Sequence, residues 1–179
     1  MSKPTPVALS RGLLFWYTVD LLALSVWIGG LIIIISSVIP AVFNSVGIEP
    51  GGRLLTRVFA RYDEIIFGLI LLMLCAWAMR DWIRRHKGFA CAAITRSELV
   101  LQTIMIAIAV AVFLLGKQAV SLQETAFAAQ GESAKKLAYD SFFRIHYLVR
   151  GLYLLNLGLG IALLTVKIKT WTARGEVTP

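Results

Sequence analysis

The hydrophobic positions of this chain come in long runs rather than in a repeating stripe. Four stretches, about 13–43, 62–82, 97–117 and 142–166, are almost wholly apolar. Neither the alternation of a half-buried strand nor the one-sided stripe of a soluble amphipathic helix describes them. A run of about 18 or more apolar residues reads as a membrane-spanning helix, because roughly 20 residues are needed to traverse a hydrocarbon core of about 30 Å. The pattern predicts an all-α fold: an integral membrane bundle of four transmembrane helices forming one domain over 1–179.

The polar segments between the runs extend three of these helices. The first connection is predicted to turn at Gly47–Gly52, where Pro50 suits an early helix position. From Arg53 onward Leu54, Leu55, Val58 and Phe59 form an apolar stripe, while Arg53, Arg57 and Arg61 recur on another face. The second helix is therefore expected to start outside the bilayer and run inward as one rod. Residues 118–129 hold no helix breaker, and Gln130-Gly131-Glu132-Ser133 reads as a stop followed by a restart. The third helix should then project past the outer face, turn near Gly131 and return through Lys135–Asp140. No soluble domain, low-complexity segment or internal repeat is visible.

Composition and charge set the surroundings. The chain is 58% hydrophobic and 16% charged, above the roughly 45–50% apolar content of globular proteins. Its net charge of +8 does not point to nucleic acid, because the basic residues lie at helix ends and in short loops and no nucleic-acid recognition module is present. They set topology instead. Lys3, Arg11, Arg80, Arg84, Arg85, Lys87, Arg96, Lys167, Lys169 and Arg174 outnumber Arg53, Arg57, Arg61, Lys117, Lys135 and Lys136, which predicts both termini in the cytoplasm. The first apolar run is too long for a signal peptide and no small-residue cleavage site follows it, so it reads as an uncleaved span. Cys75 and Cys91 fit no disulfide framework and read as free thiols.

Within the first span, Ala23, Gly30 and Ser37 repeat every seven residues, and Ser25, Gly29 and Ser36 line a neighbouring strip. In lipid, helices associate through close backbone approach, so this seam of small residues is the expected packing face. Pro40 is expected to end the span, since the residue before a proline is biased away from helix.

The most informative polar residues lie in the last span, S-F-F-R-I-H-Y-L-V-R-G-L-Y-L-L-N. Arg150 stands roughly 8 residues into it, about 12 Å deep. It should face the bundle and find a partner, for which Asp63 and Glu64 are the natural candidates. Arg61, Asp63, Glu64, His146 and Arg150 are thus expected to form one polar cluster in the outer half of the bundle. Such a cluster serves either as an ion, proton or anion site or as a salt-bridge network that fixes helix register, and the second is the reading favoured here. Asp20 and Glu98, at the cytoplasmic side, read as an interfacial ion pair neutralised by Arg80 or Arg96.

Enzyme and cofactor signals are sparse. HExxH, a phosphate loop, GxSxG, CxxC and a dinucleotide fingerprint are all absent. Met73, Cys75 and Met79 offer soft sulfur, but thioethers are common core fillers and no metal site is assigned to them. His146 is the single histidine within a span, which is thin support for haem.

Several short motifs, in this order, resemble a known family. W-I-G-G at Trp27–Gly30, V-I-P-A-V-F at Val38–Phe43, F-A-R-Y at Phe59–Tyr62 and F-F-R-I-H at Phe142–His146 are similar to the transmembrane protein 205-like family, catalogued as domain of unknown function 4149. The resemblance covers about 13–166 and implies a four-helix protein of a bacterial inner membrane without an assigned activity. The first span also resembles those of copper-resistance D-type proteins and membrane protoporphyrinogen oxidases. The first three spans here hold no histidine, which argues against carrying over copper or haem chemistry. The expected function is that of a non-enzymatic multi-pass membrane protein without cofactor, either an accessory subunit or a small transporter, with a haem- or metal-binding redox protein as the alternative. The lipid bilayer is its expected partner, and its lipid-facing surface leaves room for a second copy or a membrane-complex partner.

Overall fold

The computed structural model describes residues 11–87, 95–128 and 130–175, with side chains at 11–86, 95–128 and 130–172. Lys3, Cys91 and the side chain of Arg174 lie outside the described residues. All described elements are helical: α1 (Arg11–Ile33), a π-helical segment Ile34–Val38, α2 (Ile39–Val46), α3 (Ile48–Lys87), α4 (Arg96–Ala128) and α5 (Glu132–Gly175). Four continuous rods result, each long and apolar enough to cross a membrane: Arg11–Val46, Ile48–His86, Arg96–Ala128 and Glu132–Thr172.

The rods form a closed ring in which α1 packs on α3, α3 on α4, α4 on α5 and α5 on α1. Among the described residues α1 lies diagonal to α4, and α3 to α5. The N-terminus of α1, the start of α4 and the C-terminal ends of α3 and α5 share one end of the bundle, called here the near end. The two tight turns share the far end. The inner faces follow steps of three and four residues, as side chains in a near-aligned bundle must. On α4 they are Glu98, Gln102, Met105, Ala109 and Val112; on α5, Asn156, Leu163 and Lys167. Leu24, Trp27, Leu31, Met73, Met105 and Leu163 fill the middle of the core.

Two expectations about breakers are corrected. Pro40 does not end the first span. The helix widens into π geometry just before it, with the Ile39 N–H donating to the Ile34 carbonyl five residues back, and then continues as α2 with Pro40 in its first turn. The wider turn gives the proline ring room and spares the preceding carbonyls the amide that proline lacks. The first connection also is not a turn over Gly47–Gly52. Gly47 alone makes it, at φ +81°, and Pro50, Gly51 and Gly52 already lie in α3. Pro50 sits in the first turn, where its missing N–H has no partner to lose. At the other turn Gly131 adopts φ +90° between Ala128 and Glu132, where the sequence pattern puts the stop and restart.

The seam expected along α1 is only partly its packing face. Ala23 is buried, and a Cβ on Gly30 would stand 2.9 Å from Cε2 of Tyr62. The Tyr62 hydroxyl donates to the Trp27 carbonyl at 2.7 Å. Gly29 has nothing within 4 Å of a Cβ position, and Ser25, Ser36 and Ser37 are exposed. Most of the buried face consists of large residues, Leu24, Trp27, Ile28, Leu31 and Ile34, because the ring leaves full side-chain space except where Tyr62 crosses. Gly160 marks another close approach, a Cβ there meeting Ile28 Cγ1 at 2.9 Å and Met105 Cε at 3.3 Å.

Candidate functional site

Near the near end, each of the four rods turns one charged side chain inward. Asp20 comes from α1, Arg80 from α3, Glu98 from α4 and Lys167 from α5, with relative exposures of 0%, 5%, 1% and 0%. Helical register brings them to one level. Asp20 extends the inner face of Ala23, Leu24 and Trp27 toward the N-terminus, and Arg80 follows Met73 and Ala76 on α3. Lys167 follows Leu163 one turn on. Glu98 occupies the first turn of α4, where Thr95 Oγ1 accepts a hydrogen bond from the Glu98 N–H at 3.3 Å. Thr-x-x-Glu is the spacing in which the glutamate usually reaches back to the cap. Here the carboxylate turns into the bundle instead, still beside the positive end of the helix dipole.

The contacts close a four-membered circuit. Lys167 Nζ lies 2.5 Å from Asp20 Oδ2 and 3.1 Å from Glu98 Oε1. Arg80 Nη2 lies 2.9 Å from Asp20 Oδ2, and Arg80 Nη1 lies 4.0 Å from Glu98 Oε1. The Arg80 guanidinium also rests over the Tyr17 ring at 4.5 Å, and Tyr17 packs edge-on against Trp171. Two acids and two bases leave the group formally neutral. An isolated charge at this depth would cost several kcal/mol, so mutual compensation is what allows all four to remain buried. Asp20 binds both cations closely, whereas Glu98 has one close partner and one distant one. One turn deeper than Glu98, Gln102 is also buried.

Farther along the core, the polar contacts are single hydrogen bonds between neighbouring or diagonal helices. Asn156 is buried, and its Nδ2 donates to the Met105 carbonyl at 3.5 Å. In the far half, the Tyr153 hydroxyl donates across the diagonal to Asp63 Oδ1 at 3.0 Å, with Phe59 packed on the Tyr153 ring at 5.1 Å. Toward the far end Thr56 donates to Gln123 Oε1 at 2.9 Å.

A family model described as domain of unknown function (DUF4149) matches residues 22–128. The chain belongs to this family. Neither curated proteins nor solved structures give a match. The stretch matched to DUF4149 runs from within α1 to the end of α4. It therefore contains Arg80 and Glu98, while Asp20 and Lys167 lie outside it.

The residues expected to form one outer cluster do not all meet. Arg61 pairs with Glu64 one turn away on its own helix, at 2.7 Å and on an exposed face. Asp63 turns inward to Tyr153. His146 stacks on Phe142 at 5.4 Å and is exposed, as is Arg150. Among the described residues no ion pair joins Arg150 to Asp63 or Glu64. Of the three sulfur-bearing residues, Met73 is in the core and Cys75 is exposed, so they do not converge. Among the described residues no three His, Cys, Asp or Glu side chains group as a metal site.

Lys167 is the member of the network that sequence reasoning missed. A lysine at the end of a span reads as a topology signal, and V-K-I-K at Val166–Lys169 offers two. The signal that separates them is register: Lys167 continues the line of Asn156, Gly160 and Leu163, and exposed Lys169 does not.

Proposed function

We propose that the chain is a non-enzymatic small transporter of a bacterial inner membrane, with both termini cytoplasmic. The near-end network would be its working part. One observation carries this reading: four spans each place one ionisable side chain, almost fully buried, in the same mutually compensating group. A bundle that needs only a fixed register already has neutral devices for it, namely Tyr62 on the Trp27 carbonyl and Asn156 on the Met105 carbonyl. Charges inside a membrane are costly and typically mark ion or substrate pathways. The rods α3 and α5 have 40 and 44 residues, about 60 Å or more at 1.5 Å per residue. That exceeds a bilayer of about 40–45 Å with its headgroups. The excess is assigned to the outer face, where the tight turns lie.

The test uses the purified protein in liposomes with an imposed potassium diffusion potential and a potential-sensitive dye, which reports net movement of charge by any ion. Protein-containing vesicles should lose the potential faster than empty ones, and Glu98→Gln should slow this by about tenfold, the effect of losing roughly 1.4 kcal/mol at a barrier. Decay no faster than in empty vesicles would remove the transporter reading and leave that of an accessory subunit. That second reading is favoured by an aromatic ladder on α5 whose last two rings, Phe143 and Tyr147, are exposed. Tyr139, Phe143 and Tyr147 stack in sequence at 6.1 and 6.0 Å, a surface suited to another membrane helix. An absorption spectrum of the same preparation tests the redox alternative, which requires a Soret band that disappears in His146→Ala.

A further inference from the structure

We infer that the bundle consists of two electrically self-contained helical hairpins, α1 with α3 and α4 with α5, related by a pseudo-two-fold axis along the bundle, with the charge network as the joint between them. The ring order supports the pairing. The most extensive packing is α4 on α5 and α1 on α3, and the hairpins touch each other through α1 on α5 and α3 on α4. A two-fold that exchanges α1 with α4 and α3 with α5 preserves every one of these neighbours and every helix direction.

The polar residues match in kind and in the helix that carries them, with equal spacing on the first helices but not on the second. Each hairpin places its acid on the first helix and its base on the second: Asp20 with Arg80, and Glu98 with Lys167. Their distances are 2.9 Å and 3.1 Å. In each hairpin the carbonyl seven residues beyond the acid accepts a hydrogen bond from the second helix. Trp27 accepts from Tyr62, and Met105 from Asn156. Each hairpin also turns at a glycine of positive φ, Gly47 or Gly131. The two units share no obvious sequence similarity, because different residues perform the matching roles, tyrosine against asparagine and arginine against lysine.

This arrangement has a physical consequence. The four charges admit two closures: within hairpins, Asp20–Arg80 and Glu98–Lys167, or across them, Asp20–Lys167 and Arg80–Glu98. A hairpin entering or leaving the assembly keeps its own pair and exposes no single charge to hydrocarbon. The inference does not depend on transport, since it concerns which charges must balance for the chain to assemble.

Four double variants of the full chain test it in matched pairs. Glu98→Gln with Lys167→Met removes a within-hairpin pair, and Glu98→Gln with Arg80→Met removes a cross-hairpin pair. Asp20→Asn with Arg80→Met, and Asp20→Asn with Lys167→Met, form the second comparison. All four keep one acid and one base. The Glu98→Gln, Arg80→Met variant is decisive because it keeps the closest contact of the circuit, Lys167 to Asp20 at 2.5 Å. It nevertheless leaves each hairpin with one uncompensated charge. The readouts are membrane accumulation and resistance to unfolding in detergent. The within-hairpin variants should accumulate close to the unsubstituted level, and the cross-hairpin ones about fivefold or more below it, given the cost of a lone charge in a span. If the members of each matched pair accumulate equally, the four charges act as one undivided network and the inference is overturned. Since the members of each pair share one substitution, a packing defect from that change falls on both alike.

Discussion

Adjacent residues of the same type have opposite roles in this bundle. Gly30 lies against the Tyr62 ring and Gly29 against nothing within 4 Å. Gly30→Val should cost about 1–3 kcal/mol, since the added atoms push Tyr62 off the Trp27 carbonyl. Gly29→Ala should be neutral or stabilise by up to about 1 kcal/mol through helix propensity. Detergent unfolding of the two variants checks both signs. The lysines of α5 form a second contrast. Lys167→Met leaves Asp20 and Glu98 facing a single guanidinium and should cost about 3–5 kcal/mol, whereas Lys169→Met at an exposed position should stay within about 0.5 kcal/mol. Equal losses at the two positions would contradict the burial on which the network rests. The sequence shows that both glycines are small and both lysines charged. It does not show which faces a neighbour, because an all-round apolar helix carries no stripe to fix its rotation. The Arg150 expectation failed to find support for a related reason: Arg61 takes Glu64 from its own helix, a local partner that was available before any tertiary one.

At the level of elements, crossing a membrane is a matter of composition, so the four spans are legible as runs. Their ends are less so. Pro40 carries a strong stop signal in the sequence, but an insertion of π geometry upstream absorbs its ring and its missing donor. Gly51 and Gly52 look like turn residues yet are helical. Gly52 accommodates Gln123, whose Nε2 would stand 2.8 Å from a Cβ. Gly131 is the position where the sequence signal and the backbone coincide, since α4 ends three residues before it and φ is +90°. Gly131→Ala should therefore cost about 1–2 kcal/mol from the left-handed backbone alone, there being open space around the added methyl. A thermal shift below that range would mean that the α4–α5 turn relaxes to another conformation.

For the whole molecule, the near-end network makes orientation matter. The charges lie close to the end that carries the α3–α4 connection, and the direction of insertion decides which aqueous phase they face. Arg84 and Arg85 both pair with Asp81, but topology is read from lysine and arginine largely irrespective of neighbouring acids. The bias toward a cytoplasmic near end therefore survives this local neutralisation. It is still a small bias, with Arg53, Arg57, Arg61, Lys117, Lys135 and Lys136 opposing it at the far end. A reporter fused after Pro179 should read as cytoplasmic, and one inserted at Gly131 as external. Replacing Arg84, Arg85 and Lys87 by glutamine removes enough of the near-end excess that a mixed population is expected. Arg80 and Lys167 of the network add to the near-end count, because its acids weigh little in setting direction. A fully inverted topology in the unsubstituted chain would leave the hairpin geometry intact. It would place Glu98 next to the external phase, and any ion moved through the joint would then be loaded from that side.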